Sequence, residues 1–319
     1  MTTDNDILLT IGIPTYAREH VLVQTITQVL RQIDPRRMEL IVADQTLNHE
    51  QPVHARMEQW EREGRLEWLR LEKPSVTRAQ NEILRRMRGQ YLLLLDDDVL
   101  IPPGFFEQHL ACYSDADVSG VGGQVFHCHN WAAPPDFTEP ERGTTPHYPL
   151  GTPSGLTDCF CGGVSSFRKS ALMMIGGYDE CFIGPANHWE DDLARRLLRA
   201  GGRILYQPKA WVIHLRVPSG GCRIPGNRLW EEWTKSANLN LFAFRHCRGQ
   251  EFLAQFWQAL RTGLLRRENV VHPRRWPMAL VGGFRGLCYG WRHRNHIRSI
   301  FTQDQDRDWK RSVPAEADR

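Results

Sequence analysis

Short apolar runs alternate along this chain with segments of helical spacing. The clearest run is Tyr91 to Leu95 in YLLLLDDDV, where four consecutive leucines suit a strand buried on both faces of a mainly parallel sheet. Residues 7–13 predict another strand, ending at Pro14 with a loop through Tyr16, and 38–43 and 66–71 predict two more. Val21, Leu22, Ile26, Val29 and Leu30 recur at helical spacing within 18–32. Residues 75–87 read as a helix closed by Gly89, with Arg78 in its first turn. A polar loop follows Asp44. This alternation predicts an α/β fold with a doubly wound parallel sheet, in which ligands sit outside the carboxyl ends of the strands.

Past Pro102 and Pro103 the pattern loosens. Residues 105–113 predict a helix, 118–126 a glycine-interrupted strand, and 130–155 a Pro-rich loop of the kind that shapes a site. Residues 159–167 predict a strand broken at Gly162-Gly163, where a backbone can approach a ligand closely. In NHWEDDLARRLLRAGG, residues 187–202, Asn187 and Glu190 have capping-box spacing and Gly201 is the stop. A rotation of about 100° per residue puts Trp189, Leu193, Ala194 and Leu197 on one face with Glu190 near its middle. Asp191 and Asp192 flank that face, and Arg195, Arg196 and Arg199 point away. An inward carboxylate suits general-base work, because burial raises its pKa; reciprocal capping would use the same residue. Runs at 203–206 and 210–213 lead to His214, readable as a structural histidine or a ligand.

Composition narrows the class. A chain of 319 residues, 41% hydrophobic and 24% charged, is an ordinary globular one, not a disordered one. A net charge of +3 implies no nucleic-acid partner, although arginines crowd the stretch after about residue 240. Eight cysteines without a CxxC pair predict reduced, cytosolic thiols. His127, Cys128 and His129 with Cys159 and Cys161 raise a zinc reading, but their spacing fits no usual zinc pattern. The opening MTTDNDILLTIGIP lacks the basic start and long apolar core of a secretion signal, and no window reads as a membrane span.

The candidate chemistry starts at Asp96, Asp97 and Asp98. Adjacent carboxylates at the end of a buried strand repel one another, so a hard divalent cation that also holds phosphates is their natural partner. A solvated acidic turn is the alternative. Tyr16 and Asp44 also fall at strand carboxyl ends, so one crevice can hold them all.

In order and spacing, IGIPTY, LIVADQT, SVTRAQN, LLLLDDDV, GGVSSFRKSALMMIGGYDE, WEDDLARRLLRAGGRI and the final His214 resemble the inverting family 2 glycosyltransferases of GT-A fold, over about residues 7–216. The resemblance implies a GT-A domain over 1–222; beyond it the sequence itself reads as a helical extension over 223–302 and a polar tail over 303–319. It implies a UDP-, GDP- or dTDP-sugar donor, with Pro14 and Tyr16 along the base, Asp44 bonded to it and Arg78 near base or phosphates. Asp96 and Asp98 match the Asp-x-Asp element that holds ribose and Mn²⁺ or Mg²⁺, with Asp97 between them. His214 matches a histidine that ligates the metal in some relatives. The base belongs to a Glu-Asp helix start: the letters favour Asp191, while counting back from Gly201 and the inward projection favour Glu190. Gln45-Thr46 departs from the Gly-Ser turn of many relatives, and Val99 stands where some have another Asp.

The acceptor, whether glycan, lipid-linked or small molecule, is not legible, though glycan or glycoconjugate biosynthesis is implied. A metal-dependent nucleotidylyltransferase and a non-catalytic nucleotide-sugar binding protein are the rivals; the first lacks a basic glycine-rich loop near the first strand. Residues 227–298 are rich in Trp, Phe and Arg and read as several helices. Phe252, Phe256, Ala259 and Leu260 share one face, and Arg261, Arg266 and Arg267 follow. That pattern is compatible with peripheral contact on the inner face of a membrane, and also with packing on the parent domain.

Overall fold

The structure, a computed structural model, describes residues 7–138, 140, 142, 144–147, 153–221, 228–263 and 276–301. Parallel strands β1 (Leu9–Thr15), β2 (Met38–Asp44), β3 (Glu67–Arg70) and β4 (Tyr91–Leu95) are joined by helices α1 (His20–Gln32), α2 (Gln51–Arg62) and α3 (Val76–Arg86). In β4, Leu92 and Leu94 enter the core with Ile83 and Leu84 of α3, whereas Leu93 and Leu95 enter the one with Leu22 and Ile26 of α1. All four leucines are at most 1% exposed. At roughly 1.5–3 kcal/mol apiece, they fix where the strand ends and the acids begin.

The remaining core elements are β5 (Val99–Leu100), α4 (Phe105–Ala111), β6 (Val118–Cys128), β7 (Thr144–His147), β8 (Gly155–Thr157), β9 (Val164–Arg168), α5 (Lys169–Met174), α6 (Trp189–Arg199) and β10 (Arg203–His214). The sheet runs β3-β2-β1-β4-β9-β6-β10-β5, with β7 beside β6 and β8 beside β10. Strand β9 is antiparallel to both β4 and β6, and β10 is parallel to β6. Two reversals restore the direction, so β10 ends at the same sheet edge as β4. There His214 pairs with Val99, beside Asp98.

Several local expectations are corrected. Pro14 does not end β1: β4 pairs only Leu9–Gly12, while β2 follows β1 through Thr15, so Pro14 lies where the strand is bonded on one side. The polar stretch after Asp44 contains α2, whose buried stripe of Val53, Met57 and Trp60 is too thin to stand out. The first helix of the second half turns 3₁₀ at Cys112–Ser114. The strand expected at 159–167 starts only at Val164, beyond the glycine pair. The runs at 203–206 and 210–213 are one strand with a register shift between Gln207 and Trp211. The N-cap position of α6 is His188, at φ 70° and with no side-chain cap bond, not Asn187, so the capping-box reading of Glu190 fails. Arg196 is buried rather than water-facing, because it pairs with Asp192 at 2.7 Å.

Helices α7 (Arg228–His246), α8 (Gly249–Gly263) and α9 (Trp276–His293) complete the described chain. Buried Asp192 of α6 lies 2.7 Å from His246 Nε2 and 3.6 Å from Arg245 Nη1, and Asn238 bonds both backbone groups of Ile183. A methyl group at Gly286 of α9 would fall 2.3 Å from Ser236 Oγ, so that glycine permits the close approach to α7. Trp233 and Phe242 are buried, but Phe256, Trp257, Phe284 and Trp291 are exposed, so packing accounts for only part of the aromatic content. Among the described residues no helix is long and apolar enough to cross a membrane. The tail 303–319 and residues 148–152 of the Pro-rich loop lie outside the described residues.

Candidate active site

Pro14 and Thr15 of β1 with Tyr16 just after it, Asp96 to Asp98 after β4, Ser75 and Val76 at the start of α3, and His214 at the end of β10 line one cavity of ≈ 260 Å³. The sheet-edge crevice expected from the sequence is therefore present. Asp44, Arg78, Glu190 and Asp191 do not line it. Asp44 is 1% exposed, and its carboxylate accepts from the Thr46 N–H at 2.9 Å and Trp68 Nε1 at 2.9 Å, with His49 Nε2 2.6 Å away. Burial pushes the Asp44 carboxyl up, but these bonds and the His49 charge outweigh it and hold it low. His49 in turn has Glu19 3.1 Å from its other ring nitrogen, and is raised by Asp44 first and Glu19 second, against burial. Arg78 is half-buried, and its backbone N–H is capped by Ser75 Oγ at 3.4 Å.

The three aspartates divide into different environments. Asp97 is buried, accepts from Thr15 Oγ1 at 2.7 Å and Arg18 Nε at 3.1 Å, and burial pushes it up to about 7 despite Arg18. Asp98 is 1% exposed and meets Arg18 Nη2 at 3.1 Å, the Val217 N–H at 2.9 Å and His214 Nε2 at 2.9 Å. Burial raises Asp98, yet His214, Arg18 and the Val217 N–H together hold it below the usual carboxylate range. Asp96 is 45% exposed and stands 3.8 Å from His214 Nε2.

Glu190 and Asp191 separate cleanly. Asp191 is 46% exposed and bonds back to His188 Nδ1 at 2.7 Å. Glu190 is half-buried and faces the glycine pair: a methyl group at Gly162 would lie 3.0 Å from its Oε1. Burial, then the charges of Asp191 and Asp96, push Glu190 up to about 8 against its own N–H.

Arg18 is the site residue not singled out from the sequence. Besides the two aspartates it donates to the carbonyls of Val217 and Ser219, tying the segment after β10 to the triplet. A signal existed: it is the only Lys or Arg among residues 1–30, and it follows a strand that ends beside three acids. Gln45, the departure from the family turn, is buried and donates to the Thr15 carbonyl at 3.2 Å, bracing the same wall.

Asp96, Asp98 and His214 offer hard oxygens and an imidazole, the donor chemistry that Mn²⁺ or Mg²⁺ accepts. Asp98 Oδ1 and His214 Nε2 lie 2.9 Å apart. Among the described residues no group of three or more His, Cys, Asp or Glu forms a preformed metal cage, which also leaves the zinc reading without a site. The donor chemistry of Asp96, Asp98 and His214 fits a divalent cation that takes only part of its shell from the protein.

This sheet order, with the acid triplet at its edge, defines a GT-A fold, and solved structures agree. Staphylococcus aureus TarS 1–349 aligns at a TM-score of 0.57 and 13% identity, covering 88% of this chain and 81% of that one. A mannosyltransferase from Pyrobaculum calidifontis in complex with GDP-Man and Mn²⁺ aligns at 0.50 and 18% identity, covering 88% and 74%. The family model Glycosyl transferase family 2 matches residues 10–173, and the chain belongs to that family. An N-acetylglucosaminyltransferase of Azorhizobium caulinodans is 25% identical over 217 residues, 65% of this chain and 54% of the relative. A pre-mycofactocin glycosyltransferase of Mycobacterium tuberculosis is 28% identical over 148 residues, 43% and 29% respectively. The chain thus spans about half or less of these curated relatives.

Proposed function

We propose that this chain is a metal-dependent, inverting glycosyltransferase that moves a sugar from a nucleotide-sugar to an acceptor hydroxyl. The observation that carries the reading is the placement of Glu190 against Gly162, next to the glycine beneath Asp96, where burial pushes its carboxyl up to about 8. A binding protein has no use for such a group, and the general base of a displacement does. The GDP-Man and Mn²⁺ bound to the Pyrobaculum enzyme, and the UDP and Mn²⁺ bound to GalNAc-T7, support the same donor class here.

In this reading Pro14 and Tyr16 flank the nucleobase. Asp44 acts from behind the wall, fixing the Gln45-Thr46 turn, and Arg78 adds positive charge from the first turn of α3. Asp96, Asp98 and His214 would hold Mn²⁺ or Mg²⁺, and Asp97 keeps the triplet in register through Thr15 and Arg18. The cation, when bound, stabilises the negative charge of the departing nucleoside diphosphate. Glu190 takes the acceptor hydroxyl proton as that oxygen bonds to the anomeric carbon and the carbon–phosphate-oxygen bond breaks on the opposite face, inverting the centre. Residues 1–222 form the catalytic unit, and helices within 223–302 brace α6. The free thiols of Cys112, Cys159 and Cys247 suit a reducing cytoplasm.

Product analysis with a panel of nucleotide-sugars and hydroxyl acceptors, with and without Mn²⁺, tests this. Metal-dependent release of nucleoside diphosphate with an inverted product is expected. Pyrophosphate release would instead indicate a nucleotidylyltransferase, and donor binding without turnover a binding protein.

A further inference from the structure

The exposed outer faces of α8 and α9 carry a surface that donor chemistry does not use. On α8, Leu253, Phe256 and Trp257 are 65%, 40% and 57% exposed; on α9, Leu280, Phe284 and Trp291 are 50%, 68% and 55% exposed. The two helices meet at Phe244 of α7, whose ring lies 5.5 Å from Phe252 and 5.4 Å from Trp291, so their outer faces adjoin. A monomer facing only water has no reason to keep so many large apolar side chains together.

Charge identifies the occupant. Residues 252–301 contain nine arginines and a single acid, Glu268. Arg261, Arg285 and Arg292 are exposed on the same two helices as the aromatic side chains. Trp, Phe and Leu projecting from helices edged with arginine match a bilayer interface with anionic headgroups, where rings sit at headgroup depth and guanidinium groups meet phosphate. A second copy of this chain would have to bring the same positive charge against itself. We propose that α8 and α9 dock the protein peripherally on an anionic lipid surface, independently of the transfer reaction.

Co-sedimentation of the full chain with phosphatidylcholine vesicles, and with vesicles containing phosphatidylglycerol, tests this. Binding is expected to the anionic vesicles only, and to weaken in high salt. Trp257→Ser with Phe284→Ser should abolish it. Arg261→Gln, Arg285→Gln and Arg292→Gln together should weaken it about 100-fold. Because these side chains are exposed and do not line the donor cavity, both variants should stay folded and keep wild-type nucleotide-sugar binding. Failure of the wild type to bind anionic vesicles overturns the proposal. So does a dimer, seen by light scattering, that the aromatic substitutions dissociate while lipid binding is absent.

Discussion

The carboxylate of Asp96 rests on Gly163: a methyl group there would fall 2.1 Å from Asp96 Oδ2. The neighbouring glycine does the same for α6, since a methyl group at Gly162 would fall 2.2 Å from the Trp189 ring and 3.0 Å from Glu190 Oε1. Asp96 and Glu190, to which we assign opposite roles, thus converge because the dipeptide between them has no side chains. Gly163→Ala should displace Asp96 and lower metal-dependent transfer by about 100-fold, the effect of an ångström-scale misplacement. Steady-state kinetics across a Mn²⁺ titration would read this, and an unchanged rate and metal affinity would refute the role given to Gly163.

Glu190 carries an opposing prediction for stability and activity. Its carboxyl, 4.5 in a free chain, lies at about 8 in the fold. A carboxyl raised on folding costs nothing below the unfolded value, and the cost grows as pH rises between the two values. Glu190→Gln should therefore melt like wild type near pH 4.5 but higher at pH 8, by on the order of 2 kcal/mol after discounting for residual solvent. Transfer should fall by about 100-fold or more while donor binding stays. The wild-type rate should rise with pH toward 8, the range in which Glu190 ionises. An active Glu190→Gln enzyme beside a dead Asp191→Asn one would reassign the base.

Much of the site was legible because it depends on short-range pattern. The leucine run set the strand, the strand set the triplet, and a helical wheel aimed Glu190 inward. What escaped depends on partners distant in the chain. Arg196 projects away from the apolar face of the helical wheel, but Asp192 and the carbonyls of Ile175 and Gly177 surround its guanidinium. Helix α2 buries only Val53, Met57 and Trp60, so its periodicity is diluted by charge. Asp44 at a strand end suggested a ligand contact, yet His49 and Trp68, reached through α2 and β3, already hold it.

Arg18 balances two buried carboxylates, and no other cation lies within 4 Å of Asp97 among the described residues. Truncating one partner of such a cluster leaves charge buried without compensation, typically at about 3–5 kcal/mol. Arg18→Ala should lose that much in urea unfolding. It should also detach the Val217 to Ser219 segment, making it more sensitive to proteolysis. A variant as stable as wild type would show that Thr15 and His214 suffice to hold the triplet.

His49, buried beside Asp44 behind the cavity wall, gives a pH signature of its own. It stands between Asp44 at 2.6 Å and Glu19 at 3.1 Å, and both carboxylates raise its pKa above the ordinary 6.5. A histidine raised on folding contributes stability that is complete below its unfolded pKa and fades as pH rises through the folded one. His49→Gln should therefore be most destabilised, relative to wild type, at about pH 6, and the gap should narrow as pH rises above neutrality. Asp44 does not reverse this sign, because its depressed pKa keeps it ionised throughout that window. Thermal melts of both proteins from about pH 6 to 9 read the difference directly. A gap that stays constant would mean that His49 is held neutral between the two acids, contributing shape and hydrogen bonds but no charge.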